Sequence, residues 1–203
     1  MPAAPHPDVR GFLPDAEGQH LYALACEAAK IGPLLEIGSY CGRSTIWLAR
    51  AARSAGTVVF AVDHHRGSEE HQPGEIFHDP VLTDDEGCFD SLPEFRRNLA
   101  RESVEEAVIP IISDAGTLAR FWQGPPLGLV FIDGGHSLDA ALGDYRDWAT
   151  RVAPGGILAI HDVFPNPGDG GMAPYTIWQL ARDSGLFEPV SEQDSLRALR
   201  RIP

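Results

Sequence analysis

Short apolar runs alternate with helix-like segments along most of this chain, and five successive runs carry an acidic residue at or beside their carboxyl end. The runs cover residues 34–37, 57–62, 108–112, 128–132 and 157–160. Their polar ends are Glu36 and Gly38, Asp63, Ser113-Asp114, Asp133, and His161-Asp162. Between them, residues 44–55, 92–101, 115–122 and 138–150 read as helices. Leu21, Ala25 and Ala28 place a further helix over 15–30 by their spacing, and residues 175–184 read as one more. Strands that alternate with helices demand a parallel sheet covered on both faces. The last two runs, 187–190 and 195–200, are separated by four residues, too few for a crossover, so they should pair as an antiparallel hairpin. The expected fold is α/β: a Rossmann-like, doubly wound, mostly parallel seven-stranded sheet with an antiparallel C-terminal hairpin.

No linker or internal repeat divides residues 1–203, so a single domain is expected. Residues 1–11, with three prolines and no periodicity, read as an arm outside the core. Residues 64–90 form a loop far longer than the usual connection, with histidines at 64, 65, 71 and 78. Such loops are often functional, and a lid-like insertion is expected. A Pro/Gly-rich loop spans 164–174. Trp122, Trp148 and Trp178 read as packing residues. The three cysteines, Cys26, Cys41 and Cys88, show no CxxC spacing, so neither a disulfide framework nor a structural zinc site is expected. A formal net charge of −13 leaves no basic footprint for phosphates, which argues against nucleic-acid or anionic-membrane partners. The first residues hold no continuous apolar stretch, so a cytoplasmic protein is expected. Homo-oligomerisation stays open.

In an open α/β sheet, ligands bind outside the carboxyl ends of the strands. The first loop there reads E-I-G-S-Y-C-G-R-S over residues 36–44. Gly38 permits a tight turn, and Gly42 lets the next helix approach a ligand. A dinucleotide fingerprint would need glycines where Tyr40 and Arg43 stand, which disfavours a pyrophosphate.

An E-x-G-x-x-x-G turn in this position resembles motif I of class I S-adenosylmethionine-dependent methyltransferases, and the resemblance extends over most of the chain, roughly 34–201. It implies that S-adenosylmethionine is the cofactor. Its methionine part would lie on Glu36, Gly38, Ser39 and Gly42, and its ribose on Asp63. The adenine would lie beside Ser113 and Asp114, with Asp133 also on the cofactor side.

The second half, F-I-D-G-G-H-S over 131–137 and G-G-I-L-A-I-H-D over 155–162, resembles metal-dependent sugar and small-molecule O-methyltransferases of the macrocin O-methyltransferase type. That resemblance implies a small-molecule hydroxyl acceptor and His136 as general base. It further implies a divalent metal, Mg²⁺ or Mn²⁺, on Asp133, His161 and Asp162. His136 also has suitable chemistry of its own, with an unperturbed pKa of ~6.5. His161 departs from the pattern, because the resembling enzymes carry a carboxylate there. Mg²⁺ prefers oxygen ligands, so an imidazole suits Mn²⁺, Fe²⁺, Zn²⁺ or no metal better. The rival readings are a nicotinamide-dependent oxidoreductase and a cofactor-binding protein without turnover.

Overall fold

All four residues of the first strand, β1 (Leu34–Ile37), are buried. A strand buried on both faces belongs in the middle of a sheet, with helices above and below. The computed structural model describes residues 2–68, 79–166 and 171–203, and it places β1 there. The other strands are β2 (Val59–Asp63), β3 (Val108–Ile112), β4 (Leu127–Ile132), β5 (Val152–Ile160), β6 (Phe187–Gln193) and β7 (Leu196–Arg201). They form one seven-stranded sheet in the order β3-β2-β1-β4-β5-β7-β6. Strands β1 to β5 pair in parallel, while β7 runs antiparallel to both β5 and β6.

The two-residue period of the strands divides the core. Leu34, Leu129, Phe131, Ile157 and Ala159 face one layer, formed by α1 (Asp15–Ala28), α2 (Arg43–Ala55) and α3 (Leu92–Arg101). Leu35, Ile37, Val130, Ile132, Leu158 and Ile160 face the other, formed by α4 (Ala115–Phe121), α5 (Leu138–Trp148) and α6 (Met172–Asp183). Trp47 and Trp148, both fully buried, anchor the two layers. Gly18 lets α1 close on α2: a Cβ there would lie 2.1 Å from the Trp47 indole nitrogen. Among the described residues no helix is long and apolar enough to cross a membrane.

Three expectations need adjustment. The N-terminal arm has no regular structure, yet it is packed: Val9 and Leu13 are buried in the α1–α3 layer. Arg43 ties the arm down, donating from Nε to the Leu13 carbonyl (2.8 Å) and from Nη1 to the Val9 carbonyl (3.1 Å). Strand β5 begins earlier than expected. Its Pro154-Gly155-Gly156 segment is a bulge rather than a preceding turn, because Gly155 takes a left-handed φ of 81° and the register with β4 shifts there. Helix α6 begins at Met172, inside the stretch expected to be loop. Residues 69–78 of the expected lid, with His71 and His78, and residues 167–170 of the second loop lie outside the described residues. The carboxyl end of the first of these loops packs on the body, where Leu82 and Phe89 bury against Cys41.

Candidate active site

Strand order reverses between β1 and β4, because the chain runs from β1 outward to β3 and then returns to the other side of β1. The crevice at such a switch point is the natural ligand site of an open α/β sheet. Two turns meet there. Gly38 has φ 85°, and a Cβ on it would lie 2.1 Å from the Asp133 carbonyl oxygen, so only glycine fits.

The first loop is held from below by Asp63 at the end of β2. Its Oδ2 accepts from the Ser39 and Tyr40 amides, both at 2.8 Å, and its Oδ1 accepts from the His65 amide at 2.7 Å. Asp63 therefore shapes the loop as well as lining the crevice. Glu36 lies fully buried beneath the loop. The Thr45 hydroxyl donates to its Oε2 at 2.5 Å, whereas among the described residues Oε1 has no hydrogen-bond partner, nor does the buried Ser39 hydroxyl. Burial pushes the Glu36 carboxyl up to about 7, against the opposing pull of the Thr45 hydroxyl. Gly42, with φ 91°, opens α2 beside the Phe95 ring.

On the β3 side, a cleft of about 330 Å³ runs from Gly38 and Asp63 past Ser113 and Asp114 to Asp133 and Asp144. Asp114 caps α4 through the Thr117 amide at 2.6 Å, which lowers its pKa. Asp144, on α5, points into the same cleft. Burial, with the nearby Asp114 and Asp147, pushes its carboxyl up to about 7.

On the β5 side, an adjoining cleft of about 210 Å³ is bounded by the arm (Gly11, Phe12), Tyr40, Asp133, His136 and Asp162. The Phe12 and Tyr40 rings lie 5.6 Å apart, and Phe89 stacks behind Tyr40 at 6.2 Å. His136 Nε2 sits 3.1 Å from Asp162 Oδ2. Burial works to raise the Asp162 pKa, but His136 and His161 outweigh it and hold the carboxyl low. Asp162 has φ 56°, a left-handed conformation that turns its side chain from the strand end toward His136.

Buried behind this pair is His161. It donates from Nδ1 to Asp133 Oδ1 at 2.9 Å and from Nε2 to Glu17 Oε2 at 2.8 Å. The other oxygen of Glu17 accepts from the Ser195 amide (2.6 Å), the Ser195 hydroxyl (2.8 Å) and the Leu196 amide (3.2 Å). Burial alone would lower the His161 pKa. Asp133, Glu17 and Asp162 reverse that and push it up to about 11.

Residues 35–163 match a family model described as "Methyltransferase domain". The chain belongs to this methyltransferase family. It is 33% identical over 186 residues to the catechol O-methyltransferase of Mycobacterium tuberculosis (strain ATCC 25618 / H37Rv), a match that covers 92% of this chain and 64% of the relative. The chain thus spans just under two thirds of that relative's length. Cofactor-bound Rv0187 from MTB shares the fold with a TM-score of 0.70 at 22% identity, covering 95% of this chain and 82% of that one. The O-methyltransferase TomG from Streptomyces achromogenes, solved with SAM, shares it with a TM-score of 0.66 at 18% identity, covering 97% and 83%. The architecture is that of a Rossmann-like methyltransferase.

Within that frame, the residues expected from the sequence fall into two groups around one crevice. Glu36, Gly38, Ser39, Gly42, Asp63, Ser113 and Asp114 surround its β1–β3 half. Asp133, His136 and Asp162 line the β4–β5 half, with His161 behind them. Ligand atoms of Asp133, His161 and Asp162 lie within 4.8 Å of one another. Sequence reasoning missed Glu17, Phe12, Tyr40 and Asp144. Only Glu17 carried a signal: it is a lone charge on the apolar stripe of Leu21, Ala25 and Ala28.

Proposed function

We propose that this chain transfers a methyl group from S-adenosylmethionine to a hydroxyl oxygen of a small, planar molecule. The observation that carries this reading is the opening of both clefts onto Gly38, Asp133 and His136. A cofactor in one cleft and an acceptor in the other would meet at that point.

The first loop suits such a cofactor. Glu36 Oε1 and the Ser39 hydroxyl are buried polar atoms still lacking partners, as expected of groups arranged for a ligand's polar end. Gly38 and Gly42 bring backbone close to the crevice. Asp63 and Asp114 supply carboxylate oxygens on the ribose and adenine sides. A dinucleotide suits the loop less well, because Tyr40 takes the place of a second glycine and Arg43 is committed to the arm.

When bound, S-adenosylmethionine supplies an electrophilic methyl carbon on a positively charged sulfur. The protein's task is then to align the acceptor oxygen and take its proton. Asp162 Oδ2 lies within hydrogen-bond distance of His136 Nε2 and orients the ring that would take the hydroxyl proton at the mouth of the acceptor cleft. Phe12 and Tyr40 wall the acceptor cleft with aromatic surface, which favours a flat ring such as a catechol or another phenol. That preference agrees with the activity named for the Mycobacterium tuberculosis relative.

The test is transfer of labelled methyl from S-adenosylmethionine to a panel of catechols, simple phenols and sugars. Turnover of a phenolic acceptor that is lost in His136→Ala, with cofactor binding retained, is expected. Transfer that proceeds at the wild-type rate in His136→Ala would exclude His136 as the base.

A further inference from the structure

A histidine that binds a metal must offer a bare ring nitrogen, and its other N–H is usually donated to a neighbouring acceptor. His161 has no bare nitrogen to offer. Both of its ring nitrogens face carboxylate oxygens, Asp133 Oδ1 at 2.9 Å and Glu17 Oε2 at 2.8 Å. Ionised carboxylates only accept, so each nitrogen carries a proton.

Glu17 is not placed to move aside. It comes from α1 rather than from a strand end, it is 1% exposed, and its second oxygen holds the Ser195 and Leu196 amides at the start of β7. The remaining members of the trio are engaged as well. Asp133 Oδ1 holds His161, and Asp162 Oδ2 holds His136 while lying 3.5 Å from His161 Nδ1. A divalent ion among these atoms would face an imidazolium, not a ligand.

We propose that the acceptor site of this chain works without a metal ion: protonated His161 takes the place of the carboxylate that the resembling enzymes offer their cation, and Glu17 is the positioning residue that keeps it there. The inference rests on reading this edge as the acceptor side. In this arrangement His161 fixes the Asp133 carboxylate and supplies the positive charge beside Asp162, which in turn orients His136.

Mn²⁺ alone is the probe, added to the full chain with S-adenosylhomocysteine present and followed by electron paramagnetic resonance. The comparison is the double variant Glu17→Gln/His161→Asp, which removes the imidazolium and leaves an oxygen-only trio with Asp133 and Asp162. Wild type is expected to bind Mn²⁺ about tenfold or more weakly than the double variant. Nitrogen chemical shifts should show both His161 ring nitrogens protonated in wild type, and one proton lost in Glu17→Gln. One equivalent of Mn²⁺ held by wild type as tightly as by the double variant, or a bare ring nitrogen on wild-type His161, would overturn the proposal. Calorimetry with S-adenosylhomocysteine on the same samples keeps the two readings apart. Failure of cofactor binding counts against the proposed function, whereas tight Mn²⁺ with intact cofactor binding counts only against the metal-free site.

Discussion

Replacing Glu17 by alanine should be among the most destabilising single changes in the protein, although Glu17 lies on the first helix, away from the strand ends. Its carboxylate receives four hydrogen bonds, from His161 Nε2, the Ser195 amide and hydroxyl, and the Leu196 amide. Alanine leaves a buried imidazolium short of one partner, a loss that typically costs about 3–5 kcal/mol. It also strands two backbone amides, each worth about 1–3 kcal/mol unless water enters the space. These costs overlap, because water admitted to the cavity serves all the stranded donors, so we expect about 4 kcal/mol in total. For a chain of this size that corresponds to a fall in Tm of roughly 8–16 °C. Glu17→Gln keeps a carbonyl oxygen for Ser195 and Leu196 and should cost only about 1–2 kcal/mol.

Urea unfolding followed by tryptophan fluorescence measures both variants, since Trp47 and Trp148 are fully buried. The pH dependence carries a sign. The folded-state pKa of His161 is raised from 6.5 to about 11, so its stabilisation is fully present below 6.5 and is lost as the pH climbs to about 11. The gap between wild type and Glu17→Ala should shrink over that window. A cost for Glu17→Ala below about 1 kcal/mol, or a glutamine variant as damaged as the alanine one, would refute the reasoning.

Four further outcomes are expected. His136→Ala should lower turnover by about 10²–10⁴-fold while leaving S-adenosylhomocysteine affinity unchanged, as read by kinetics beside calorimetry. Asp63→Ala should weaken that affinity by about 1–3 kcal/mol, and unchanged binding would remove Asp63 from the cofactor site. In Gly38→Ala the new Cβ would meet the Asp133 carbonyl at 2.1 Å in a left-handed backbone, so cofactor binding should be lost along with stability; a variant that binds normally would contradict the closeness of the two turns. Glu36→Gln should stabilise the cofactor-free chain at pH 8. A buried carboxyl raised from 4.5 to about 7 loses its favourable protonation as the pH rises through 7, a penalty of roughly 3 kcal/mol. Equal denaturation midpoints for the two proteins at pH 8 would count against it.

The strand ends were legible in the sequence because each combined an apolar run with an abrupt polar stop, and a parallel sheet gathers all such stops at one edge. This is why Asp63, Asp114, Asp133, His136 and Asp162 could be placed together without coordinates. The terminal hairpin was legible from the short span between its strands. What escaped notice came from elsewhere in the chain. Phe12 reaches the acceptor cleft from an arm with no periodicity, and what holds that arm is Arg43, whose partners are backbone carbonyls that no residue pattern encodes. The tie between Glu17 and His161 spans 144 residues. The resemblance, not the strand pattern, makes the imidazole a candidate metal ligand, and neither of its two acceptors can be seen along the strand. The bulge at Gly155 reads as a turn because proline followed by glycine ends most strands, whereas here β4 pairs on both sides of it, Leu127 with Val152 and Leu129 with Ile157.

The central claim is that the crevice between β1 and β4 is an S-adenosylmethionine site. Calorimetric titration of the chain with S-adenosylhomocysteine, and with NADH in a parallel run, addresses it most directly. The account predicts one equivalent of S-adenosylhomocysteine bound in wild type, greatly weakened binding in Gly38→Ala, and no heat with NADH. Saturable NADH binding that S-adenosylhomocysteine does not displace, or no S-adenosylhomocysteine binding to folded wild-type protein, would contradict it.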